Sequence, residues 1–587
     1  MNVSSKKFIG LPVNAEVLGL SKGFDESELV DAKCLLINMP IREQARPNNA
    51  PLGLCLLASR LKEFKVEVDI LDLNSYRVMD EVAEQKNLEN GRILSELEAE
   101  NKIRGFTDHN DYDLIALSGL ITTLKWQKKV LNILQKLKPS SYKISGGGLA
   151  TEFREDLLNW MPDLDGIAHS EGDDVILKIA RDAKIIRNSK KMTKSMLTDV
   201  VSPEKTTILN GKLYTIYGGG RPKDLDALPF PDWDILTQDP NNKDILENYI
   251  NTPIWGKEAK NSSATSFSMK RSINTVSSRG CPFACKFCFR GAQGERNYGI
   301  RSPENLFCEM KHYVERYGID FLGYVDDNFA VSRKRIFELE KLISNWTTEN
   351  SLIWGTHARL DEAADIKNCV DGVLELNEPL RVNSMYNAGC RYIGFGAESA
   401  SPRMLELMGK GGSMLKYGVQ NVFGFDVPRT MTVGIKNTIE AGIHANCTWI
   451  MGYPGETLAD LQATVAFIKW QEEVLMASYE ENSTRYKLAS DAINKNMFVA
   501  TAYPGTEMFA DPIVKRALIK GFGVKYVNGK PICDQHLESY VEQLNDATDL
   551  IWRKDGGLLQ YSLMPDSLFL EIRDIIRNGN LFDILGL

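Results

Sequence analysis

The sequence predicts an α/β protein in two parts: a doubly wound parallel sheet, then a partial (β/α)6 barrel with a small C-terminal region. Three observations predict this. Strand and helix patterns alternate regularly from about residue 32 to 185. They alternate again from Ile273 to about Phe509. A Gly- and Pro-rich stretch, Gly218 to Trp233, separates the two runs and reads as a linker.

The first run opens with Ala32 to Asn38, a short apolar segment of the kind that forms a strand buried on both faces. Leu52 to Phe64 has helical spacing through Leu52, Leu56, Ala58 and Leu61. Val66 to Leu73 returns to strand alternation. Asp113 to Gly119 and Tyr142 to Gly146 are two further strands with the helix Leu124 to Leu137 between them. Asp165 to His169 is a fifth strand, followed by the helix Asp173 to Asp182. Residues 80–105 are highly charged and read as an exposed helix or long excursion. Ile208 to Leu213 reads as a hairpin, because Asn210-Gly211 suits the positive φ angles of a type I′ turn.

In the second run the candidate strands are Asn274–Ser278, Phe321–Val325, Leu352–His357, Arg391–Gly396, Asn446–Met451 and Met497–Ala502. Six strand-helix units suggest an open barrel rather than a closed one of eight. The expected boundaries are an N-terminal extension over 1–31, the first sheet domain over 32–200, hairpin and linker over 201–270, the barrel over 271–512 and a C-terminal cap over 513–587.

Composition narrows the function class. The chain has 587 residues, 43% hydrophobic and 25% charged, as in ordinary globular proteins. A net charge of −8 argues against nucleic acid as a partner, since phosphate binding needs clustered cations. Lys190, Lys191 and Lys194 make one short basic group, not the extended cluster such binding needs. No run of about 18 apolar residues predicts a membrane span. Met1 to Gly10 lacks a signal-like apolar core, so the expected location is cytoplasmic. Of the ten cysteines, seven are scattered singly and read as small buried apolar residues.

The other three lie in Ser278-Arg279-Gly280-Cys281-Pro282-Phe283-Ala284-Cys285-Lys286-Phe287-Cys288, in the loop after the first barrel strand. Barrel active sites sit at that end of the strands. Three thiolates on one loop can hold one face of a metal cluster, and a cubane of four irons bound by three ligands keeps one iron open. The competing reading is structural zinc, which needs a fourth ligand and usually a second ligand pair; no matching pair is evident.

The Cys-x3-Cys-x2-Cys spacing, with an aromatic before the last cysteine, resembles the radical SAM superfamily. Phe321 to Phe329, with Asp326 and Asp327, is similar to the family's second strand. Gly394 to Ser399, with Glu398, resembles its fourth; Trp449 to Thr457, with Gly452 and Gly455, its fifth; and Tyr503 to Thr506 the end of its sixth. The resemblance implies a 4Fe–4S cluster on Cys281, Cys285 and Cys288. It also implies S-adenosylmethionine (SAM) contacts at Phe287, Asp326, Asp327, Glu398, Gly452 and Gly455. Each also has a plain reading as cap, turn or loop carboxylate. His357, Arg359 and Asp361 follow the third strand; Arg359 could hold a SAM carboxylate or substrate anion, or simply pair with Asp361. Tyr324, Trp449 and Tyr453 are substrate candidates, or barrel packing.

Open α/β sheets bind ligands beyond the carboxyl ends of their strands. Those ends carry Ser118 to Thr123, Ser145 to Thr151 and His169 to Asp173. The Gly-x-Gly-x-x-Gly dinucleotide pattern is absent after the first strand. Pro51-Leu52-Gly53-Leu54 and Val68 to Asp72, with the later Gly-rich loops, resemble the cobalamin-binding domain fused to one radical SAM subgroup. That implies cobalamin contacts at Pro51, Leu52, Gly53, Ser118, Thr122, Thr123, Gly146, Gly147, Gly148, Glu171 and Gly172. The Asp-x-His-x-x-Gly motif that supplies a cobalt ligand in many cobalamin proteins is missing; His109 and His169 read as ordinary loop histidines.

The resemblance implies an enzyme that cleaves SAM to a 5′-deoxyadenosyl radical and C-methylates an unactivated carbon of a small-molecule substrate from methylcobalamin. An external electron donor such as flavodoxin or ferredoxin would be its partner. Ring formation or rearrangement without methyl transfer is the competing enzyme reading. A non-catalytic cobalamin or iron–sulfur protein is the competitor of another class.

Overall fold

The structure is a computed structural model describing residues 26–40, 50–76, 94–188, 203–251, 269–289, 298–544, 550–553 and 555–587. The chain divides into two compact units, one of described residues up to Leu246 and one from Glu247 onward.

The first unit is built on a seven-stranded sheet of β1 (Lys33–Asn38), β2 (Glu67–Asp72), β3 (Leu114–Ser118), β4 (Tyr142–Gly146), β5 (Gly166–His169), β6 (Lys205–Leu209) and β7 (Lys212–Gly218). Their spatial order is β2-β1-β3-β4-β5-β7-β6. All neighbours are parallel except β6 against β7. Near-continuous burial along β1, β3 and β4 is what a sheet covered on both faces demands. The crossover helices include α1 (Leu52–Glu63), α2 (Glu96–Thr107), α3 (Leu124–Leu137), α4 (Gly148–Phe153) and α5 (Val175–Asn188).

Three expectations are refined here. The 205–218 hairpin turns at Asn210 (φ 51°) and Gly211 (φ 78°) as its residues foretold, but it extends the sheet rather than belonging to a linker. The 218–233 stretch lies back on the same unit: Ser59 Oγ donates to the Phe230 carbonyl at 2.7 Å, and Trp233 is fully buried. In the charged segment, residues 77–93 lie outside the described part. Helix α2 is not merely exposed: Ser95 and Glu98 form its capping box, and it buries Ala99, Ile103 and Phe106.

The second unit holds six parallel strands in sequential order: β8 (Ser272–Thr275), β9 (Phe321–Tyr324), β10 (Ile353–Ala358), β11 (Cys390–Glu398), β12 (His444–Met451) and β13 (Phe498–Val499). This is the open barrel with all six strands at the anticipated places. Helices Pro303–Tyr317, Arg333–Glu349, Arg429–Glu440 and Leu458–Ala477 cross between them. Two hairpins, Ile366–Leu376 and Val419–Pro428, fall outside the strand-helix pattern. C-terminal helices Pro512–Phe522, Gln535–Val541 and Asp566–Arg577 follow. Among the described residues no helix is long and apolar enough to cross a membrane.

Candidate functional site: the cysteine loop and the glycine shelf

The cysteine loop leaves β8 through Val276, Ser277 and Ser278, and three buried charged side chains fix that departure. Asp326, at the end of β9 and 3% exposed, accepts from the Ser277 amide at 2.6 Å, from the Ser278 hydroxyl at 2.6 Å and from the Ser277 hydroxyl. Arg335 donates to the Ser277 carbonyl at 2.9 Å and to the Phe329 carbonyl at 2.8 Å. Arg301 donates to the Val276 carbonyl at 2.9 Å and pairs at 2.6 Å with the fully buried Glu309, which also accepts from Thr275 at 2.9 Å. Buried charges are tolerated where they are paired or hydrogen-bonded, and here their bonds to carbonyls and serines hold irregular backbone in one shape.

The loop is then tied across the barrel mouth. The Lys286 amide donates to the Met408 carbonyl at 2.9 Å, beyond β11, and the Met508 amide donates to the Lys286 carbonyl at 2.8 Å, beyond β13. A Cβ on Gly409 (φ 71°) would stand 3.0 Å from the Ala284 carbonyl, so a side chain there would be strained and would press on the loop. Arg359, after β10, lies with its guanidinium 3.9 Å from the Phe283 ring centre and Nη1 3.9 Å from Cys285 Sγ.

The charge of Cys285 is felt at both Cys281 and Cys288. Burial, opposed by a hydrogen bond from the Phe283 amide, raises Cys281 above an ordinary thiol. Cys288 has an exposed surface yet sits in dense surroundings. Burial first, then the charges of Asp327, Cys285, Cys281 and Glu398, push its thiol up to about 12. Among the described residues no set of three His, Cys, Asp or Glu side chains is gathered tightly enough to chelate a single ion. Three thiols on one loop, with the carboxylates of Asp327 and Glu398 that raise Cys288, suit a positive metal centre, which reverses the sign of that cost. The residues fit a cluster.

The other expected residues divide. Asp327 is exposed and electrostatically coupled to Cys281 and Cys288. Glu398 stands in the left-handed region (φ 67°) where β11 bulges, and Lys410 pairs with it at 3.3 Å while also donating to the Gly396 carbonyl. A strained glutamate at a strand end is the kind of outlier that function maintains. Lys410 was not anticipated; its one trace in the sequence is a cation inside Gly409-Lys410-Gly411-Gly412. Asp326 has its acceptors occupied by the serines, so its place is under the loop. Phe287 is half-buried within the loop. Gly452 (φ 80°) faces the Phe569 ring, which a Cβ would meet at 2.9 Å. The Gly455 amide (φ 82°) donates to the Tyr561 carbonyl at 3.1 Å. The C-terminal region therefore packs on the end of β12. Tyr324 and Trp449 are wholly enclosed, the first against Phe329 and Trp354 and the second against Phe467, so their rings pack the barrel. Tyr453 is 3% exposed, and burial holds its hydroxyl far above the usual range.

In the first unit the strand ends form a shelf of small residues. Gly147 adopts φ 86° and ψ −161°, a conformation essentially reserved to glycine. A Cβ there would stand 2.6 Å from the Gly119 carbonyl. Gly119 in turn leaves room for Thr123, whose hydroxyl donates to the Leu120 carbonyl at 2.7 Å and accepts from Gln127 at 3.2 Å. Gln127 receives the Ser145 hydroxyl at 2.7 Å. Thr123 is thus buried in scaffold contacts, while Ser118, Thr122, Gly146 and Gly148 are half-exposed and Gly147 is exposed. Leu120 stands 53% exposed, Gly53 opens on empty space, Leu52 is half-exposed and Pro51 is buried. Gly172 lies against Leu57, and Glu171 is held by Arg221 at 3.1 Å. His169 is occupied by Glu204 at 3.2 Å and Ser170 at 3.1 Å. A shelf of glycines and small side chains lets a large planar ligand approach the backbone, and the histidine at its edge, His169, is held by Glu204 and Ser170.

Residues 275–468 match the Radical SAM superfamily. An uncharacterized methyltransferase of Pyrococcus horikoshii is 24% identical over 85% of this chain and 87% of its own length. An anaerobic magnesium-protoporphyrin IX monomethyl ester cyclase of Cereibacter sphaeroides is 22% identical over 62% of this chain and 50% of its own. Among solved structures, the cobalamin-dependent S-adenosylmethionine radical enzyme OxsB superposes with TM-score 0.60 and 15% identity, covering 94% of this chain and 67% of that one. The radical S-adenosylmethionine methyltransferase TsrM of Kitasatospora setae gives TM-score 0.55 and 15% identity, covering 94% and 89%. Over residues 275–468 the chain therefore resembles the Radical SAM superfamily, and its fold is that of these two solved radical S-adenosylmethionine enzymes.

Proposed function

We propose that this chain is a cobalamin-dependent radical SAM enzyme that transfers a methyl group to an unactivated carbon of a small-molecule substrate. The observation that carries this reading is the clamped loop of three thiols at the carboxyl end of β8, in a chain whose first sheet presents a glycine shelf. When bound, the cluster would supply the electron that cleaves SAM to a 5′-deoxyadenosyl radical, and cobalamin would supply the methyl group.

The protein's part is placement. Cys281, Cys285 and Cys288 hold three irons, and the clamps on Ser277 and Lys286 keep their loop from drifting. Asp327 and Glu398 bring negative charge toward Cys288, suiting the ammonium and ribose hydroxyls of SAM. Leu52, Gly53, Leu120, Thr122, Gly146, Gly147, Gly148, Glu171 and Gly172 offer the surface for the corrin. A low-potential one-electron donor such as flavodoxin or ferredoxin would complete the system. Ring formation without methyl transfer is the second reading, favoured by the cyclase among the relatives.

The test is anaerobic reconstitution of the full chain with iron, sulfide and hydroxocobalamin, followed by reductant and SAM. The expected result is the visible spectrum of both cofactors, with 5′-deoxyadenosine and S-adenosylhomocysteine among the products. Absence of 5′-deoxyadenosine defeats the enzyme reading. 5′-Deoxyadenosine without any S-adenosylhomocysteine moves the choice to ring formation.

A further inference from the structure

We infer that Arg359 is a positioning residue of the cluster, whose guanidinium charge, held against Cys285, raises the potential at which the cluster accepts its electron. The inference rests on the cluster reading above and goes beyond it, because the expected role of this arginine was to hold a SAM carboxylate or to pair with Asp361. Four observations assign the new role. Arg359 is 7% exposed, so it is not a freely swinging side chain at the mouth. Its Nε and Nη2 donate to the two Asp361 carboxylate oxygens at 2.9 and 3.3 Å, and Nη2 also reaches the Ser413 hydroxyl at 3.3 Å. Ser413 donates in turn to Asp361. The remaining edge faces the cysteine loop, with the plane over Phe283 at 3.9 Å and Nη1 3.9 Å from Cys285 Sγ.

These contacts occupy four of the five N–H donors of a guanidinium. A small-molecule carboxylate would have to break the Asp361 pair to gain a bidentate grip. What the arrangement does offer is a fixed positive charge beside one ligating sulfur. Cluster potentials respond to net charge and to hydrogen bonds on the sulfurs. Reduction adds one electron from the external donor to the cluster and makes or breaks no bond. The added negative charge is stabilised by a cation a few ångströms away, in surroundings of low dielectric. Asp361 moderates the effect, since it lies on the far edge of the same guanidinium.

The two members of the pair therefore push the potential in opposite directions, which a purely structural role would not do. The experiment is an EPR-monitored redox titration of the anaerobically reconstituted full chain, comparing wild type with Arg359→Gln, Arg359→Lys and Asp361→Asn. Iron and sulfide content is measured on each. Arg359→Gln should shift the midpoint to more negative values, so that at a fixed potential the ratio of reduced to oxidised cluster falls about tenfold, or about 59 mV for one electron. Arg359→Lys should recover most of the shift, and Asp361→Asn should move the midpoint to more positive values. A full cluster with an unchanged midpoint in Arg359→Gln overturns the inference. Should Arg359→Gln hold no cluster, Asp361→Asn decides: a positive shift sustains the inference and an unchanged or negative one overturns it. A wild-type chain that takes up no cluster would instead defeat the proposed function, and would do so before any variant was compared.

Discussion

At the scale of single residues, the second unit separates groups that shape the loop from groups that face the chemistry. Asp326 is of the first kind. Its carboxylate receives three hydrogen bonds from Ser277 and Ser278, and such bonds to a charged acceptor contribute about 1.5–3 kcal/mol each. Asp326→Ala removes them and leaves a buried amide unpaired. The expected result is a loss of about 3 kcal/mol or more in the stability of this unit, read by thermal unfolding, with iron bound per chain falling in parallel. Asp326→Asn, which keeps one acceptor, should recover part of both. Cys288 is of the second kind. Its surface is exposed, and its thiol is raised to about 12 by burial and by Asp327 and Glu398, so metal-free protein presents it chiefly as the inert thiol at neutral pH. Ser replacement there should leave the unfolding free energy of the metal-free chain within about 0.5 kcal/mol of wild type, as for surface changes, and abolish the visible absorbance of the reconstituted cluster.

At the scale of elements, what was legible in the sequence and what was not follow from one cause. The parallel strands announce themselves because both faces are covered: Lys33–Asn38 and Leu114–Ser118 carry apolar runs that need no knowledge of their partners. The Asn210-Gly211 turn is equally local. Pairing across long separations is not local, and so the docking of Lys212–Gly218 on β5 was hidden in a segment that read as a connector. The same limit applies within the site. The cysteines are contiguous and were found, whereas the Arg359 contact to Cys285 joins residues 74 apart and Lys410 meets Glu398 through a bulge that no spacing rule encodes. The glycine shelf stands between these cases: Gly146-Gly147-Gly148 was visible, but which glycine is indispensable was not. Gly147 is that one, since its dihedral angles exclude other residues and its missing Cβ faces the Gly119 carbonyl at 2.6 Å. Gly147→Ala should cost about 1–3 kcal/mol from backbone strain alone. It should weaken retention of added hydroxocobalamin on a desalting column while leaving the iron content of the chain unchanged. Equal loss of both cofactors would contradict a role confined to the first unit.

At the scale of the whole molecule, buried ionisable groups set how stability follows pH. Burial raises Glu456, which accepts a hydrogen bond from the Gly452 amide at 2.6 Å, to about 8. Burial likewise raises Glu362 and Glu152 to about 7. Burial lowers His444 to about 4, and lowers His357. The two kinds of shift act in opposite senses. A buried histidine binds fewer protons folded than unfolded, so its contribution rises with pH until the unfolded histidine, near 6.5, has lost its proton. A buried carboxylic acid binds more protons folded than unfolded, so its contribution is complete below the unfolded value of about 4.3 and is lost as pH rises through the folded one. Below pH 6.5 the two slopes oppose each other; above it the histidine slope has gone and the carboxyl slope remains. The holoprotein should therefore unfold at progressively lower temperature between pH 6.5 and 8.5. Because Glu456 and Glu362 both lie beyond Leu246, the fall should be concentrated in the transition of the second unit. Glu456→Gln keeps a neutral acceptor for the Gly452 amide and removes the titrating proton. Scanning calorimetry at pH 6.5, 7.5 and 8.5 should show this variant with a visibly shallower fall than wild type. Parallel curves for the two proteins would mean that Glu456 is already ionised in the fold, and that the neutral carboxyl inferred beside Gly452 is not there.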